Sequence, residues 1–179
     1  MNATTTTSQA KFRVLGVNDD ASDCLCCGRQ GLRRVVWLQP LDESGEECGE
    51  PVHFGRVCGA RAAGWGYGAD APRIDRRIVT EELKARKFYG ERISERISQL
   101  EAEGKVVRSR VALGFDWKNA CHTYGYIFTI PGDPIGGMAC PVAQHAEVKN
   151  AKARLRDAYP VFRSIDGRLT AFEMRALLA

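Results

Sequence analysis

Residues 24–38, CLCCGRQGLRRVVWL, and residues 51–63, PVHFGRVCGARAA, decide how the first third of this chain folds. Cys24-x-x-Cys27-Gly28 is a pair of thiols two residues apart, followed by the residue that most readily takes a left-handed backbone. Two such thiols reach one ion from one tight turn, and the glycine lets backbone N–H groups turn toward the sulfurs. Residues 31–38 then read as a strand and residues 51–55 as its antiparallel return, across a polar, Gly-containing loop at 39–50. Residues 57–63 read as a short helix, stopped by GWGYG at 64–68. Cys58 thus stands at the start of that helix, where free N–H groups and the helix dipole favour a thiolate. The hairpin returns the chain to its starting end, so it carries Cys58 back to Cys24 and Cys27.

A tetrahedral ion needs a fourth donor. His53, near the knuckle end of the return strand, is the expected one. Cys48 sits in the distal loop, well over ~10 Å away if strands rise ~3.3 Å per residue. Cys26, or Cys121, His122, Cys140 or His145 from later in the chain, are the remaining donors, and water could also complete the site. A redox use of the CxxC pair fits less well. Such pairs open a helix after a strand, whereas here Gly and a strand follow.

Working outward, residues 11–17 alternate as a first strand, with Phe12, Val14 and Gly16 on one face. Residues 1–10, MNATTTTSQA, are polar and read as a disordered tail without the features of a signal peptide. From Asp70 a long charged helix is expected, with apolar residues at 74, 78, 79, 83, 88, 93, 97 and 100. Gly90 is expected to break it, and Gly104 to end it. Strands are expected over 106–113 and 123–130, then helices over 141–159 and 171–178. Thr170-Ala171-Phe172-Glu173 has the form of a capping box. The fold class is therefore α+β: a zinc-finger-like module over 11–68, then a mixed helical and β domain over 69–179.

The chain has 179 residues, 44% hydrophobic and 27% charged, which supports a buried core. Seven cysteines, an odd number and closely spaced, argue for metal ligation in a reducing compartment rather than a disulfide framework. No apolar run approaches the ~20 residues of a membrane helix, so a cytoplasmic protein is expected. Net charge is +4, but it is unevenly spread. Residues 1–72 and 111–146 are slightly acidic, while 73–110 and 147–179 are basic. Arg73, Arg76, Arg77, Lys84, Arg86 and Lys87 form the densest basic run. They are candidate phosphate contacts, although Glu81, Glu82, Glu91 and Glu95 interleave with them in the manner of a solvated helix face. Trp65, Tyr67, Trp117 and Tyr124 are candidate stacking residues.

The run F-x-V-x-G-V-x-D-D…C-x-x-C-G-x-x-G-L-x-x-x-V-x-L…V-x-F-G-x-x-C-x-x-R-A, from Phe12 to Ala62, resembles that of small proteins carried by bacteriophages, plasmids and bacteria. Their Cys-containing segment looks like a zinc-knuckle or treble-clef-like finger. The resemblance covers about residues 12–65 and implies structural Zn²⁺. Treble-clef fingers place two ligands three residues apart in the closing helix; here the second place holds Arg61.

No Gly-rich phosphate loop, paired-carboxylate motif or HExxH is present, and Cys121-His122 near Asp116 is a weak nucleophile pair because neighbours on an extended chain point apart. The expected function is that of a small, non-catalytic, zinc-binding accessory protein of a phage or mobile element, associated with nucleic acid. The alternative is a protein-binding adaptor or inhibitor, for example of a host defence complex.

Overall fold

A computed structural model describes residues 11–65, 71–116, 118–119, 121–133, 135, 141–165 and 167–179. The expected tail at 1–10, the cap at Asp70, and Tyr67, Trp117 and Cys140 lie outside them. The architecture is α+β. In chain order it runs β1 (Lys11–Asn18), β2 (Val35–Leu41), β3 (Val52–Phe54), α1 (Arg56–Ala62), α2 (Ala71–Ala102), β4 (Val107–Asp116), β5 (Cys121–Thr129), α3 (Pro141–Ala158), a 3-10 helix (Pro160–Ser164) and α4 (Ala171–Ala176). Among the described residues no helix is long and apolar enough to cross a membrane.

The chain divides into two compact units, Met1–Gly90 with Leu169–Ala176, and Glu91–Arg168 with Leu177–Ala179. The first is built on an antiparallel sheet of order β1-β2-β3. Central β2 supplies Val36 and Leu38, both fully buried, which meet Val14 of β1, Ala60 of α1 and Ile74 and Ile78 of α2 in one core. Replacing Leu38 with Ala would cost about 2–5 kcal/mol, the usual penalty for a core cavity. Gly59 lets α1 lie flat on the sheet: a Cβ there would stand 3.2 Å from Cβ of Val36.

Strict alternation along β1 does not hold. The register shifts between Val14 and Gly16, and Gly16 takes φ 127°. This bulge lets both Val14 and Leu15 be buried. It also makes room for another side chain, since a Cβ at Gly16 would come within 2.9 Å of Cδ of Glu82.

Helix α2 runs unbroken through Gly90. The cost of one interior glycine, about 1 kcal/mol, is small beside the burial of Ile74, Ile78, Ala85 and Tyr89 before it and Ile93 and Leu100 after it. Gly104, at φ 68°, ends the helix, with the N–H of Lys105 returning to the carbonyl of Leu100 at 3.0 Å.

In the second unit β4 and β5 form a hairpin whose pairing extends to Asp116↔Cys121. The loop expected to be long is thus shortened by longer strands. Buried Val111 and Thr129 belong to its inner face, and Ala151 and Leu155 of α3 are buried too; α3 packs against both strands.

Candidate metal centre

The loop before β2 is a closed turn. The N–H of Gly28 donates to the carbonyl of Cys24 at 2.8 Å, that of Cys24 to Arg29 at 3.0 Å, and that of Leu32 to Ser22 at 2.7 Å. Gly28 holds φ 73°, the left-handed geometry its sequence position called for. The loop is tied to β3 by the N–H of Leu25 and the carbonyl of His53, 3.2 Å apart.

At the C-terminal end of β3, beside the same loop, Gly55 caps α1 without a side-chain hydrogen bond. Its lack of a Cβ allows close approach: a Cβ there would lie 3.3 Å from Leu32 and 3.9 Å from Sγ of Cys24. The third residue of α1 is Cys58. The sulfur atoms of Cys24, Cys27 and Cys58 all lie within 4.8 Å of one another. Three thiolates at ~2.3 Å from a tetrahedral Zn²⁺ would be about 3.8 Å apart, so the donor set fits such an ion with small adjustment. Cys24 is 1% exposed, Cys58 half-buried and Cys27 exposed.

Electrostatics divide the three thiols. Burial pushes the Cys24 thiol up, but N–H groups of Gly55, Cys27 and Cys26, with the Cys27 thiol, more than offset this and bring its pKa to about 7. Burial pushes Cys58 up as well. Hydrogen bonds with the thiols of Cys27, Cys24 and Cys26, and the charge on Cys24, carry it to about 12. The helix start was expected to favour a thiolate on Cys58 itself. Instead the donor at the start of α1, the N–H of Gly55, serves Cys24 across the gap. Cys24 is thereby more readily ionised than Cys58.

His53 is not part of this group. It pairs with Trp37 across the sheet, its ring lies 4.9 Å from the indole, and Nε2 stands 3.1 Å from Oδ1 of Asp23. It braces the residue next to Cys24. Cys26 does touch the group, through its hydrogen bond with Cys58. Cys48 is exposed and remains in the distal loop, its N–H on the carbonyl of Pro40 at 3.0 Å. Cys121 and His122 open β5 and His145 lies in α3; their side chains are outside the described residues.

The three sulfurs line a cavity of about 750 Å³ whose walls also carry Arg29, Arg33, Arg34, Arg56, Asp75 and Glu82. Arg56 is paired with Asp75 at 2.8 Å. Burial pushes the Glu82 carboxyl up, partly countered by Arg86. The arginines at 29, 33 and 34 were not singled out from the sequence. The available signal was three guanidinium groups within seven residues of Cys27, in a segment whose overall charge is acidic.

Of the six basic residues singled out in the sequence, all lie on α2. Arg73, Arg76, Arg77, Lys84 and Lys87 are exposed and Arg86 is half-buried. Lys84 pairs with Glu81 at 2.8 Å, and the guanidinium of Arg77 lies 5.4 Å from the Trp65 ring. Arg73, Arg77, Lys84 and Lys87 follow one another along one exposed stripe at helical spacing. Compared with known proteins, the chain matches no family, no curated protein and no solved structure.

Proposed function

We propose that this chain is a small, non-catalytic accessory protein of a phage or mobile element in which structural zinc fixes a nucleic-acid-binding knob. The observation that carries the reading is the convergence of three sulfurs from two distant segments within 4.8 Å. Cys24, Cys27 and Cys58 would hold the ion, with Cys26 or water in the fourth position. Bound there, zinc supplies a cross-link between the knuckle loop and α1. Cys24 presents a charged sulfur near neutral pH, Gly55 orients it, and His53 with Asp23 holds the loop from behind.

On this reading the exposed arginines and lysines of α2, with Arg29, Arg33 and Arg34 beside the cavity, meet phosphates. Fluorescence anisotropy on labelled duplex DNA tests it. Affinity should fall steeply between 50 and 200 mM salt, and Arg77→Glu and Lys84→Glu should weaken it further. Salt-independent binding, or none, would remove duplex DNA from the proposal.

A second reading, a protein-binding adaptor or inhibitor, is favoured by Leu25, Val57, Val79 and Leu83. These are large apolar side chains, each more than half exposed, and Val57 and Val79 also line the cavity beside the sulfurs. Exposed apolar groups beside one cavity, as Val57 and Val79 are, favour a packed partner, and such an interface would weaken less with salt.

A further inference from the structure

The β4–β5 hairpin presents two faces of opposite character. Facing pairs on an antiparallel ladder share a side, so Arg108↔Phe128 and Arg110↔Tyr126 lie on one face, and Tyr124, two residues from Tyr126, joins them. Val111 and Thr129 on the other face are buried, with the hydroxyls of Ser109 and Thr129 bonded at 2.7 Å. That burial fixes which side turns outward. Tyr126 is 70% and Tyr124 46% exposed. The guanidinium of Arg110 lies 4.0 Å over the Tyr124 ring, and that of Arg108 lies 5.3 Å over Phe128. At Phe128 the face is closed by Phe162 of the 3-10 helix, ring centroids 5.3 Å apart.

Flat aromatic rings alternating with guanidinium groups on a strand surface provide what a single-stranded nucleic acid needs: π-faces for unpaired bases and cations for the backbone. Tyr124 and Tyr126 stand about 7 Å apart along one strand, so one base can stack on Tyr126 and the next on the Arg110–Tyr124 stack or the uncovered face of Tyr124. Charge complementarity favours this occupant, since the guanidinium of Arg110 lies over Tyr124 at the centre of the face, while the other cation, Arg108, has the Glu101 carboxylate only at its edge. Arg108 also pairs with Glu101 at 2.9 Å, which holds its guanidinium in place along the edge of the face. Duplex DNA offers no exposed base faces, and an apolar protein partner would gain little from two stacked guanidinium groups.

We infer that the outer face of this hairpin, centred on Tyr124, Tyr126 and Arg110, is a binding platform for single-stranded nucleic acid. The platform shares no residue with the proposed zinc site. It deepens the nucleic-acid part of the proposed function, and rests on that part, by naming the form of the polymer.

The test uses the full chain and fluorescein-labelled oligothymidylate followed by anisotropy. Tyr124→Ala and Tyr126→Ala should each weaken binding at least about fivefold, and Tyr126→Phe should retain it. Arg110→Ala should reduce the slope of log affinity against log salt by about 0.7. Photocrosslinking of a 5-iodouracil oligonucleotide to the unaltered chain, mapped by mass spectrometry, should label Tyr124 or Tyr126 whether or not the variants fold. Crosslinks confined to other segments, or unchanged affinity in folded Tyr→Ala variants, would overturn the platform. If α2 charge reversals abolish binding while the tyrosine variants do not, the proposed function stands and the platform falls. If neither single-stranded nor duplex DNA binds, both fall together.

Discussion

Cys24 and Cys58, far apart in the chain, bring their sulfur atoms within 4.8 Å of each other because β2 leaves the knuckle loop and β3 returns to it. The cluster is thus a property of the hairpin as much as of the cysteines. If the cluster holds zinc as proposed, anything that loosens either end should release the ion, and removing the ion should loosen both ends.

Stability should therefore respond to chelation. A ligand that binds only the folded chain at a thousand times its Kd adds about 4 kcal/mol. For a protein of this size that is on the order of 10 °C in melting temperature. Calorimetric scans with and without a strong chelator check this, and Cys58→Ser should melt at the chelated position in both. Identical scans for the untreated and chelated protein would argue against a structural ion.

Proton release gives a second handle. Without metal, Cys24 titrates at about 7 and Cys58 at about 12. At pH 8 the first is mostly thiolate and the second a thiol, so zinc bound as proposed would have to expel the Cys58 proton. Titration calorimetry in buffers of different ionisation enthalpy should show net proton release at pH 8. The metal-free fold should also respond to pH. The depressed Cys24 value contributes stability that is present above pH 9 and lost as pH falls through 7. The raised Cys58 value contributes stability present below pH 9 and lost as pH rises through 12. Urea unfolding of the metal-free chain should thus be hardest near pH 9. A steady fall in stability from pH 6 to 9 would contradict this.

A polar cluster away from the cysteines holds the first unit together. Glu47 accepts from Arg13 at 2.6 Å and from the Tyr89 hydroxyl at 2.7 Å, and Arg175 lies 3.4 Å from it. Arg13 in turn lies 3.7 Å over the Phe88 ring. Glu47→Ala strands a buried hydroxyl and two guanidinium groups, and should cost about 2–3 kcal/mol in urea denaturation. Adding Tyr89→Phe should cost less than the two changes summed, because they share a partner. Strict additivity would show that the contact is not energetically coupled.

The capping box at the start of α4 is fully formed. The N–H of Thr170 donates to Glu173 at 2.7 Å, and the N–H of Glu173 to the Thr170 hydroxyl at 3.2 Å. Thr170→Ala should cost about 1 kcal/mol. The two Thr170 donors hold the Glu173 carboxyl below its usual range. Its contribution is therefore present above the ordinary carboxylate pKa and lost as pH falls through the lowered value. The gap between parent and Glu173→Gln should narrow on acidification; a gap that widens would reverse the sign of this argument.

What could be read in advance follows from how local each signal is. The spacing of Cys24 and Cys27, the glycine after them, the β2–β3 return and the Thr170–Glu173 box are short-range patterns, and each takes the form its residues imply. The bulge at Gly16 was hidden because one extra residue in a strand leaves hydrophobic composition unchanged while moving Leu15 inward. The continuity of α2 through Gly90 was hidden because burial on either side outweighs a local propensity. The place of His53 depends on its cross-strand neighbour Trp37 and on Asp23, neither of which its own position announces. Arg29, Arg33 and Arg34 gather beside the sulfurs only because the turn folds back on α1.

The most direct test is elemental analysis of protein purified without added metal or chelator, done in parallel on Cys24→Ser and Cys58→Ser. Close to one zinc per chain is expected in the parent, with a marked loss in both variants. A parent carrying no transition metal, or variants that retain it fully, would contradict the claim that one cation joins the knuckle loop to α1.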